Sequence, residues 1–388
     1  MQRVVVVGAG IVGAAAAVRL AQSGAHVTVV DSHTPGGATA AGAGIIATVS
    51  SRATDDETAA FRFAAARHYP ELVRRCADAG VDAASYRVAG QLTLALREDE
   101  KDAVLEDFER TRLLVDRFGA ESVGLPELLT ADEVAGRFPL VGRTFGGFLA
   151  PEVAVVDGRA LRDSLMQLAV SAGAEVVVGT AQLVGDGVPG PTEVALDGLG
   201  ADRVTGVRTA AGRIDADAVV LAAGAWSGGL SGAVAGRVQP QRGQIIHLHL
   251  PGASALPTLD TVAGHYLLTF TGDRVVIGAT RETGSGFDPT LTAGGVAQVL
   301  AQGFSLVPAL AGARWLEARV GLRPVTADGL PHLGRAPGCG NLFVATGMGP
   351  SGLTLGPYCG SVIADTVLAA LTGGDAPSIP RAYDPVRA

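Results

Sequence analysis

A glycine-rich turn near the N-terminus, Gly8-Ala9-Gly10-Ile11-Val12-Gly13, offers the first site for chemistry. It follows a valine-rich stretch, Arg3–Val7, that predicts a buried strand, and it precedes apolar residues at helical spacing up to Ser23. Asp31 ends the next strand-like stretch. Such glycines let backbone N–H groups approach a pyrophosphate, and such an acid accepts a hydrogen bond from a ribose 2′-hydroxyl. The sequence therefore predicts a dinucleotide site that disfavours the 2′-phosphate of NADP.

A second glycine-rich segment lies near the C-terminus. The apolar strand Leu342–Ala345 leads into the loop Gly347–Pro357, and a helix is predicted to start at about Ser351. The glycines let backbone amides approach a flat ligand, and the start of the helix directs positive partial charge towards it. A reduced flavin carries negative charge that such a helix start stabilises. The first motif alone does not separate NAD from FAD, and this second segment favours FAD.

The elements that must position these segments are of two kinds. Strand–helix–strand units of a parallel sheet are predicted at both ends of the chain and around residues 157–225, with antiparallel strands between them. This pattern predicts an α/β fold with a Rossmann-like FAD-binding domain made of residues 1–86, 152–234 and 321–388. An α+β substrate domain with a mostly antiparallel sheet is predicted from residues 87–151 and 235–320.

Composition excludes several classes of protein. Hydrophobic residues make up 48% of the 388 residues and the net charge is -8, so the chain has material for a core and lacks the basic surface that nucleic acid requires. Three scattered cysteines predict a reducing cytoplasm without disulfides, and seven histidines without ligand spacing predict no metal site. No apolar run reaches the roughly 18–20 residues of a spanning helix. We therefore expect a cytoplasmic protein with at most peripheral membrane contact.

Several separated motifs occur in the order typical of one family. They are Gly8–Gly13 with Asp31, the strand segment Ala218–Ser227, Val276–Thr280, Gly321–Gly334 and the loop Gly347–Pro357. Over nearly its whole length the chain resembles the D-amino-acid oxidase superfamily of FAD-dependent oxidoreductases, most of all glycine oxidases and bacterial D-amino-acid dehydrogenases. The resemblance implies a Rossmann-like FAD-binding domain of the GR2 type.

The resemblance also implies roles for individual residues. Arg323 matches an arginine that holds the substrate carboxylate, and Tyr266 matches a tyrosine that assists it; a guanidinium binds a carboxylate with two parallel charge-assisted hydrogen bonds. The residues assigned to FAD by the motifs and the resemblance are Gly8, Gly10, Ile11, Val12, Gly13, Asp31, Thr39, Gly44, Ile45, Gln182, Gly224, Met348, Gly349, Pro350, Ser351, Gly352, Leu353 and Thr354.

Two departures from the family pattern refine these expectations. Glycine oxidases tend to have an arginine in the final loop where this chain has Pro350, which argues against glycine itself as substrate. Sarcosine oxidases attach flavin through a cysteine where this chain has Gly321, so FAD is expected to be non-covalent. Further polar candidates in the substrate half are Arg242, His247, His249, His265, Arg281, Glu282 and His332.

The expected activity is oxidative deamination of a small amino acid, either a D-amino acid or a glycine-like one. A hydride equivalent passes from Cα to flavin N5, and the imino acid then hydrolyses to a keto acid. Alternatives left open are the oxidation of secondary amines such as proline-like, hydroxyproline-like or N-methyl amino acids, an NAD-dependent dehydrogenase, and a non-catalytic FAD-binding protein. The sequence leaves open whether oxygen or a quinone accepts the electrons, and whether the chain forms oligomers.

Overall fold

A computed structural model describes residues 1–48, 55–82, 86–185, 203–231, 234 and 236–387. The α-helices of these residues are α1 Ile11–Gln22, α2 Asp56–Asp78, α3 Lys101–Phe118, α4 Ala131–Arg137, α5 Gly158–Ser171, α6 Ala293–Leu306 and α7 Gly352–Thr372. The strands are β1 Arg3–Val7, β2 His26–Asp31, β3 Ile45–Ile46, β4 Arg87–Val88, β5 Gln91–Leu94, β6 Glu127–Leu129, β7 Gly147–Ala150, β8 Ala154–Val155, β9 Glu175–Val178, β10 Gln182–Gly185, β11 Val204–Thr209, β12 Gly212–Asp215, β13 Ala218–Leu221, β14 Gln239–His249, β15 Thr258–Thr261, β16 Tyr266–Thr269, β17 Arg274–Gly278, β18 Glu282–Thr283, β19 Arg314–Val325, β20 His332–Arg335 and β21 Leu342–Thr346.

The two glycine-rich motifs belong to one six-stranded sheet with the order β20-β21-β13-β1-β2-β9. Its strands are parallel except for the antiparallel edge strand β20. Residues alternate between its two faces, so Val4 and Val6 pack against helices while Val5 and Val7 face the small sheet β10-β11-β12. Burial on both faces explains the unbroken valine run in β1. The α/β fold expected from the sequence is confirmed.

The second large sheet has the order β18-β14-β17-β16-β15-β5-β7-β6, and β19 also pairs with β14. It is mostly antiparallel, with a parallel pair between β5 and β15. Strand β19 continues in register to Val325, which pairs with Gln239. The expected domain boundary at residues 320/321 therefore falls inside a strand of this sheet. The sequence also predicts a hairpin over Thr192–Ala210, and residues 192–202 of it lie outside the described residues. From residue 204 onwards, β11 pairs antiparallel with β10 and β12.

The two large sheets meet where β19 passes the segment between β2 and β3. The Leu322 backbone N–H donates to the Gly36 carbonyl oxygen at 2.8 Å. A Cβ on Gly321 would stand 2.8 Å from the Ala41 Cβ, closer than carbon atoms approach, so the missing side chain lets the two backbones pack together. This contact brings the substrate-side sheet against the dinucleotide side.

Helix α7 packs along α1 and α2 and thereby fixes the C-terminal loop. A Cβ on Gly360 would meet Ala15 Cβ at 2.6 Å and Ala16 N at 2.9 Å, so α1 and α7 touch backbone to backbone at this point. From α2, the Tyr69 hydroxyl donates to the Leu353 carbonyl oxygen, and Arg62 Nη2 donates to Ser351 Oγ at 2.8 Å. Both bonds hold the first turn of α7.

The segment Gly349–Thr372 is the one stretch of the described residues that is long and apolar enough to cross a membrane by length and composition. However, 61% of its apolar window is buried inside the protein. Contacts with α1, α2 and β21 account for its apolar character as a core helix.

A partly buried polar network joins the second sheet to the start of α5. Arg274 pairs with the Asp157 carboxylate at 3.0 Å, and that carboxylate also caps α5 by accepting from the Arg159 and Ala160 N–H groups. Arg274 Nη1 lies 3.3 Å from His247 Nδ1. Because arginine only donates, Nδ1 accepts and the imidazole is neutral. Burial, reinforced by Arg319 and Arg274, lowers the pKa of His247 to about 3.

We expect alanine at Gly360 to destabilise the protein, whereas the same change at Gly294 in α6 does not. Glycine to alanine in a helix is normally stabilising by up to about 1 kcal/mol, but overpacking costs about 1–3 kcal/mol. Nothing lies within 4 Å of a Cβ at Gly294. Denaturant unfolding gives the free energy of unfolding of Gly360→Ala and of Gly294→Ala. An equal change in both variants would contradict the backbone contact between α1 and α7.

We also expect the His247 imidazole to lower the free energy of unfolding in acid. The pKa is lowered in the folded state, so the unfolded chain takes up a proton near the ordinary value of 6.5 while the folded chain does not until about 3. The free energy of unfolding is unaffected by this group above about pH 7.5 and falls as the pH drops from about 6.5 towards 3. His247→Gln removes this component, so unfolding curves at pH 8 and pH 5 should differ less in the variant than in the wild type. An equal pH dependence in both proteins would show that His247 does not carry it.

Candidate functional site

A cavity of about 850 Å³ lies where the two large sheets meet, and both contribute to its wall. The dinucleotide side supplies Gly8–Val12, Asp31 and the loop 32–45, and the substrate side supplies Tyr266, Arg281 and Arg323. This volume lies in the upper part of the range for small-molecule and cofactor sites.

The glycine-rich turn forms one wall of the cavity, and its glycines allow the backbone to pack closely there. Gly8 has φ +104°, and a Cβ on it would stand 2.5 Å from the Ala222 carbonyl oxygen. A Cβ on Gly13 would overlap the Gly8 carbonyl oxygen, so this glycine keeps α1 close to β1. Helix α1 begins after Gly10 with no acidic residue in its first turn. The positive end of the helix therefore lies at the cavity-lining residues Gly10–Val12 and has no acidic side chain in its own first turn.

Asp31 and Thr39 organise this wall further. Asp31 accepts hydrogen bonds from the Ala9 N–H at 2.6 Å and the His33 N–H at 2.7 Å. A carboxylate has about four acceptor positions, so Asp31 keeps capacity for a ligand hydroxyl while it holds the turn. Thr39 Oγ1 accepts from the Ile11 N–H at 3.0 Å, which ties the loop between β2 and β3 to the start of α1.

The C-terminal loop forms the facing wall. Met348, Gly349, Pro350, Gly352 and Leu353 line the cavity at the start of α7. Leu353 fits between two glycines, since a Cβ on Gly42 or on Gly158 would stand 2.7 Å from its Cδ1. The first turn of α7 is thereby fixed from both sides.

Of the 20 residues assigned from the sequence to FAD or to the substrate carboxylate, sixteen line the cavity and four do not. Those lining it are Gly8, Gly10, Ile11, Val12, Asp31, Thr39, Gly44, Ile45, Gly224, Tyr266, Arg323, Met348, Gly349, Pro350, Gly352 and Leu353.

The other four support the wall from behind or lie beside it. Gly13 packs on Gly8, Ser351 accepts from Arg62, and the Thr354 hydroxyl donates to the Ile45 carbonyl oxygen at 3.1 Å. Gln182 is exposed and begins β10, where it pairs with Arg208. Its neighbour Ala181 lines the cavity instead, because successive residues in extended backbone point in opposite directions.

Arg323 extends from β19 into the substrate-side wall. Its Nη1 donates to the Thr280 carbonyl oxygen at 3.0 Å, which orients the guanidinium and leaves several N–H groups free. The guanidinium lies over the Cα of Gly243, where a Cβ would stand 2.5 Å from Nη2. No carboxylate of the described residues forms an ion pair with Arg323 within 4.0 Å. Burial lowers the pKa of Arg323, although a guanidinium remains charged at any working pH.

Tyr266 stands beside Arg323 in the same wall. It pairs with Gly278 across β16 and β17, and the missing Cβ of Gly278 makes room for the hydroxyl, which would lie 2.7 Å from such an atom. Burial raises the pKa of Tyr266, and the charge of Arg323 opposes that rise. The hydroxyl therefore stays protonated near neutral pH and is available to donate a hydrogen bond.

Of the further polar candidates, only Arg281 lines the cavity. Arg242 forms ion pairs with Glu282 at 2.7 Å and Asp288 at 3.1 Å. His332 is buried, and Arg387 Nη1 lies 3.1 Å from its Nδ1. Within the described sequence the cavity lining thus holds two arginines without a carboxylate partner on its substrate side, Arg281 and Arg323.

Some residues that line the cavity are not predicted from the sequence. Arg162 reaches the cavity from α5, and a single arginine on an amphipathic helix gives no signal of this in one sequence. Trp226 lines the cavity beside Gly224 and contacts Phe287 with ring centroids 5.6 Å apart. It lies within the strand segment Ala218–Ser227, so its position in that motif was the available signal.

The wall fits FAD in both shape and chemistry. A side chain at Gly8 would collide with the backbone of Ala222, so the turn keeps its shape only with glycine there. The start of α1 presents N–H groups suited to a pyrophosphate. None of the three cysteines, which are all described and buried, lines the cavity, and Gly321 does. This arrangement suits flavin that is held without a covalent bond.

Comparison with known proteins agrees with this geometry. Residues 3–366 match the family described as FAD dependent oxidoreductase, DAO. The chain is 34% identical, over the full length of both proteins, to the Bacillus subtilis protein named Uncharacterized oxidoreductase YurR. The crystal structure of iminodiacetate oxidase from Chelativorans sp. BNC1 is similar with a TM-score of 0.85, 35% identity and 99% of each chain covered. That of glycine oxidase from Geobacillus kaustophilus is similar with a TM-score of 0.83, 28% identity and complete coverage of both chains.

The match of one family over nearly the whole chain excludes the alternative of an NAD-dependent dehydrogenase, and it agrees with the glycine-rich walls at both ends of the cavity. The chain is an FAD-dependent enzyme and belongs to the DAO family of FAD-dependent oxidoreductases.

Proposed function

We propose that the chain oxidises the C–N bond of a small amino acid whose carboxylate is held by Arg323 and Tyr266. The observation that carries this proposal is the oriented Arg323 guanidinium in the cavity wall, without a carboxylate partner among the described residues. A buried cation without a counter-charge is costly unless a ligand supplies one. A planar guanidinium matches a carboxylate with two parallel hydrogen bonds.

When bound, FAD accepts the two electrons that leave the substrate. The residues of the chain orient the substrate: Arg323 and Tyr266 hold the carboxylate and thereby restrict the position of Cα and the amine. The substrate gives up a hydride equivalent from Cα, which carries both electrons and one proton, and its nitrogen releases the second proton to water, leaving an imino acid. Water then converts a primary imino acid into a keto acid and ammonia.

The cavity offers few groups for acid–base chemistry. Apart from its arginines, the titratable side chains among the described lining residues are Asp31, His33 and Tyr266. Asp31 and His33 belong to the dinucleotide side, and Tyr266 remains protonated. The proposal therefore assigns orientation and charge stabilisation to the chain and requires the substrate amine to arrive neutral.

A second candidate is the oxidation of a secondary amine. It is supported by the likeness to an iminodiacetate oxidase at 35% identity over 99% of both chains, since iminodiacetate is a secondary amine. The likeness to a glycine oxidase supports the primary amine. Anaerobic reduction of the bound flavin by D-alanine and by N-methylglycine compares the two, and the faster reduction identifies the substrate class. If neither these nor other small amines bleach the flavin, the remaining alternative is a non-catalytic FAD-binding protein.

The electron acceptor can be identified with the same purified protein. We propose oxygen or a quinone, and the two are separated by measuring reoxidation of the reduced protein in air and with a soluble quinone. Hydrogen peroxide formed in proportion to turnover would identify an oxidase.

We expect Arg323→Ala to weaken binding of the substrate carboxylate about 100-fold or more, because both charge-assisted hydrogen bonds are lost. Arg323→Lys keeps the charge but loses the planar guanidinium, so its affinity for the amino acid should lie between those of Arg323→Ala and the wild type. The measurement is the dependence of flavin reduction on amino-acid concentration. The exposed Arg314, near the start of the same strand, provides the control variant Arg314→Ala. Unchanged substrate dependence in Arg323→Ala would disprove the assignment.

We expect Gly243→Ala to impair the same step without removing a substrate-binding side chain. The new Cβ would overlap the Arg323 guanidinium and force it out of its place. Amino-acid affinity should fall at least tenfold while the flavin absorbance of the purified protein stays near that of the wild type. A wild-type affinity would show that the position of the guanidinium above Gly243 is not needed.

A further inference from the structure

Arg281 is a second arginine in the substrate-side wall that the proposed chemistry does not use. It lies between β17 and β18, and it lines the same cavity as Arg323 and Tyr266, although Arg281 is exposed to solvent and the other two residues are half-buried. Its guanidinium lies over the backbone of Gly264, where a Cβ would stand 2.8 Å from Nη2 and 2.9 Å from Nη1. Gly264 has φ +74°, so a side chain there is disfavoured on two grounds.

The acids around Arg281 are already engaged with other groups. Its neighbour Glu282 accepts from Arg242, from the Gln244 amide at 2.6 Å and from the Thr280 hydroxyl at 2.6 Å. Asp260 is the acid whose pKa Arg281 lowers, but it accepts from the Thr261 N–H at 2.9 Å, and its burial raises the pKa to about 6. No carboxylate of the described residues lies within 4.0 Å of the Arg281 guanidinium.

The two guanidiniums are close enough to affect each other. The charge of Arg281 lowers the pKa of Arg323, and both arginines lower the pKa of Tyr266, which belongs to the same wall. Two cations at one cavity without counter-charge repel each other, and solvent weakens this repulsion at the exposed Arg281. A ligand with one carboxylate compensates one of them, whereas a ligand with two carboxylates compensates both.

We infer that Arg281 is a second anion-binding residue and that the preferred substrate is an amino or imino acid with a second carboxylate. The inference rests on the proposed function, since Arg323 is taken to hold the first carboxylate. The second carboxylate is carried either on the amine nitrogen, as in iminodiacetate, or on the side chain, as in D-aspartate. Both share the chemistry that Arg281 would recognise.

The binding experiment uses the FAD-loaded protein and requires no turnover. Calorimetric titration compares succinate with butyrate, which have the same number of carbon atoms and differ in one carboxylate. The wild type should bind succinate about 10- to 100-fold more tightly, the effect of one charge-assisted contact. Arg281→Gln should abolish this preference, Arg281→Lys should keep part of it, and the control Arg314→Gln should leave it unchanged. Equal affinities of the wild type for both acids would overturn the inference.

The kinetic experiment identifies the position of the second carboxylate. Anaerobic flavin reduction is measured with iminodiacetate against N-methylglycine, and with D-aspartate against D-alanine. Arg281→Gln should lower kcat/KM about 10- to 100-fold for the preferred dicarboxylate and less than about threefold for its monocarboxylate partner. An equal loss for both members of each pair would show that Arg281 supports the site in general, and would overturn the inference.

The two proposals fail in different ways. If all four amines leave the flavin oxidised but succinate still binds more tightly through Arg281, the proposed oxidation fails and the dicarboxylate site remains. If D-alanine and N-methylglycine reduce the flavin as efficiently as the dicarboxylates do, the proposed oxidation remains and the role of Arg281 is refuted. The flavin spectrum of each variant shows that the protein is folded and loaded.

Discussion

The site depends on two residues that have no side chain and that pair with each other across strands β14 and β19, Gly243 and Gly321. The gap at Gly321 lets β19 approach Ala41, and so brings the substrate-side sheet against the dinucleotide side. The gap at Gly243 receives the guanidinium of Arg323, two residues further along β19. The absence of a side chain at these two paired positions therefore sets both the distance between the sheets and the position of the Arg323 guanidinium. A methyl group at either position conflicts with this geometry because packed interiors have little free space.

The charged groups of the cavity are distributed unequally between its two ends. At one end the start of α1 presents N–H groups beside Asp31, and at the other Arg281 and Arg323 lack carboxylate partners within the described chain. Arg242, on the neighbouring strand, is compensated by Glu282 and Asp288. The same residue type thus forms a structural ion pair at one position and stands in the cavity wall without an acidic partner at another. The difference is whether an acid stands within reach, which is a property of strand register and not of the arginine.

Support for the site comes from outside its wall. The α2 side chains Arg62 and Tyr69 hold the first turn of α7, and Gly13 and Gly360 let α1 lie against β1 and α7. The half-buried ion pair of Arg274 with Asp157 ties the second sheet to the start of α5. These contacts explain how a loop of glycines, which has little conformational preference of its own, keeps one shape. The likeness to solved structures at 28–35% identity over almost complete chains indicates that this framework tolerates extensive substitution elsewhere.

The sequence by itself determined the elements and the cofactor. The valine run of β1, the glycine turn and Asp31 predict the strand–helix–strand unit, because period, turn chemistry and burial all act over a few residues. Only the tertiary structure decided which polar residues share a cavity. It places Arg281 in the wall, pairs Arg242 with acids, and turns Gln182 and Ser351 away from the lining. Strand register and the contact at Gly321 bring together residues far apart in the chain, and no local pattern encodes such long-range pairing.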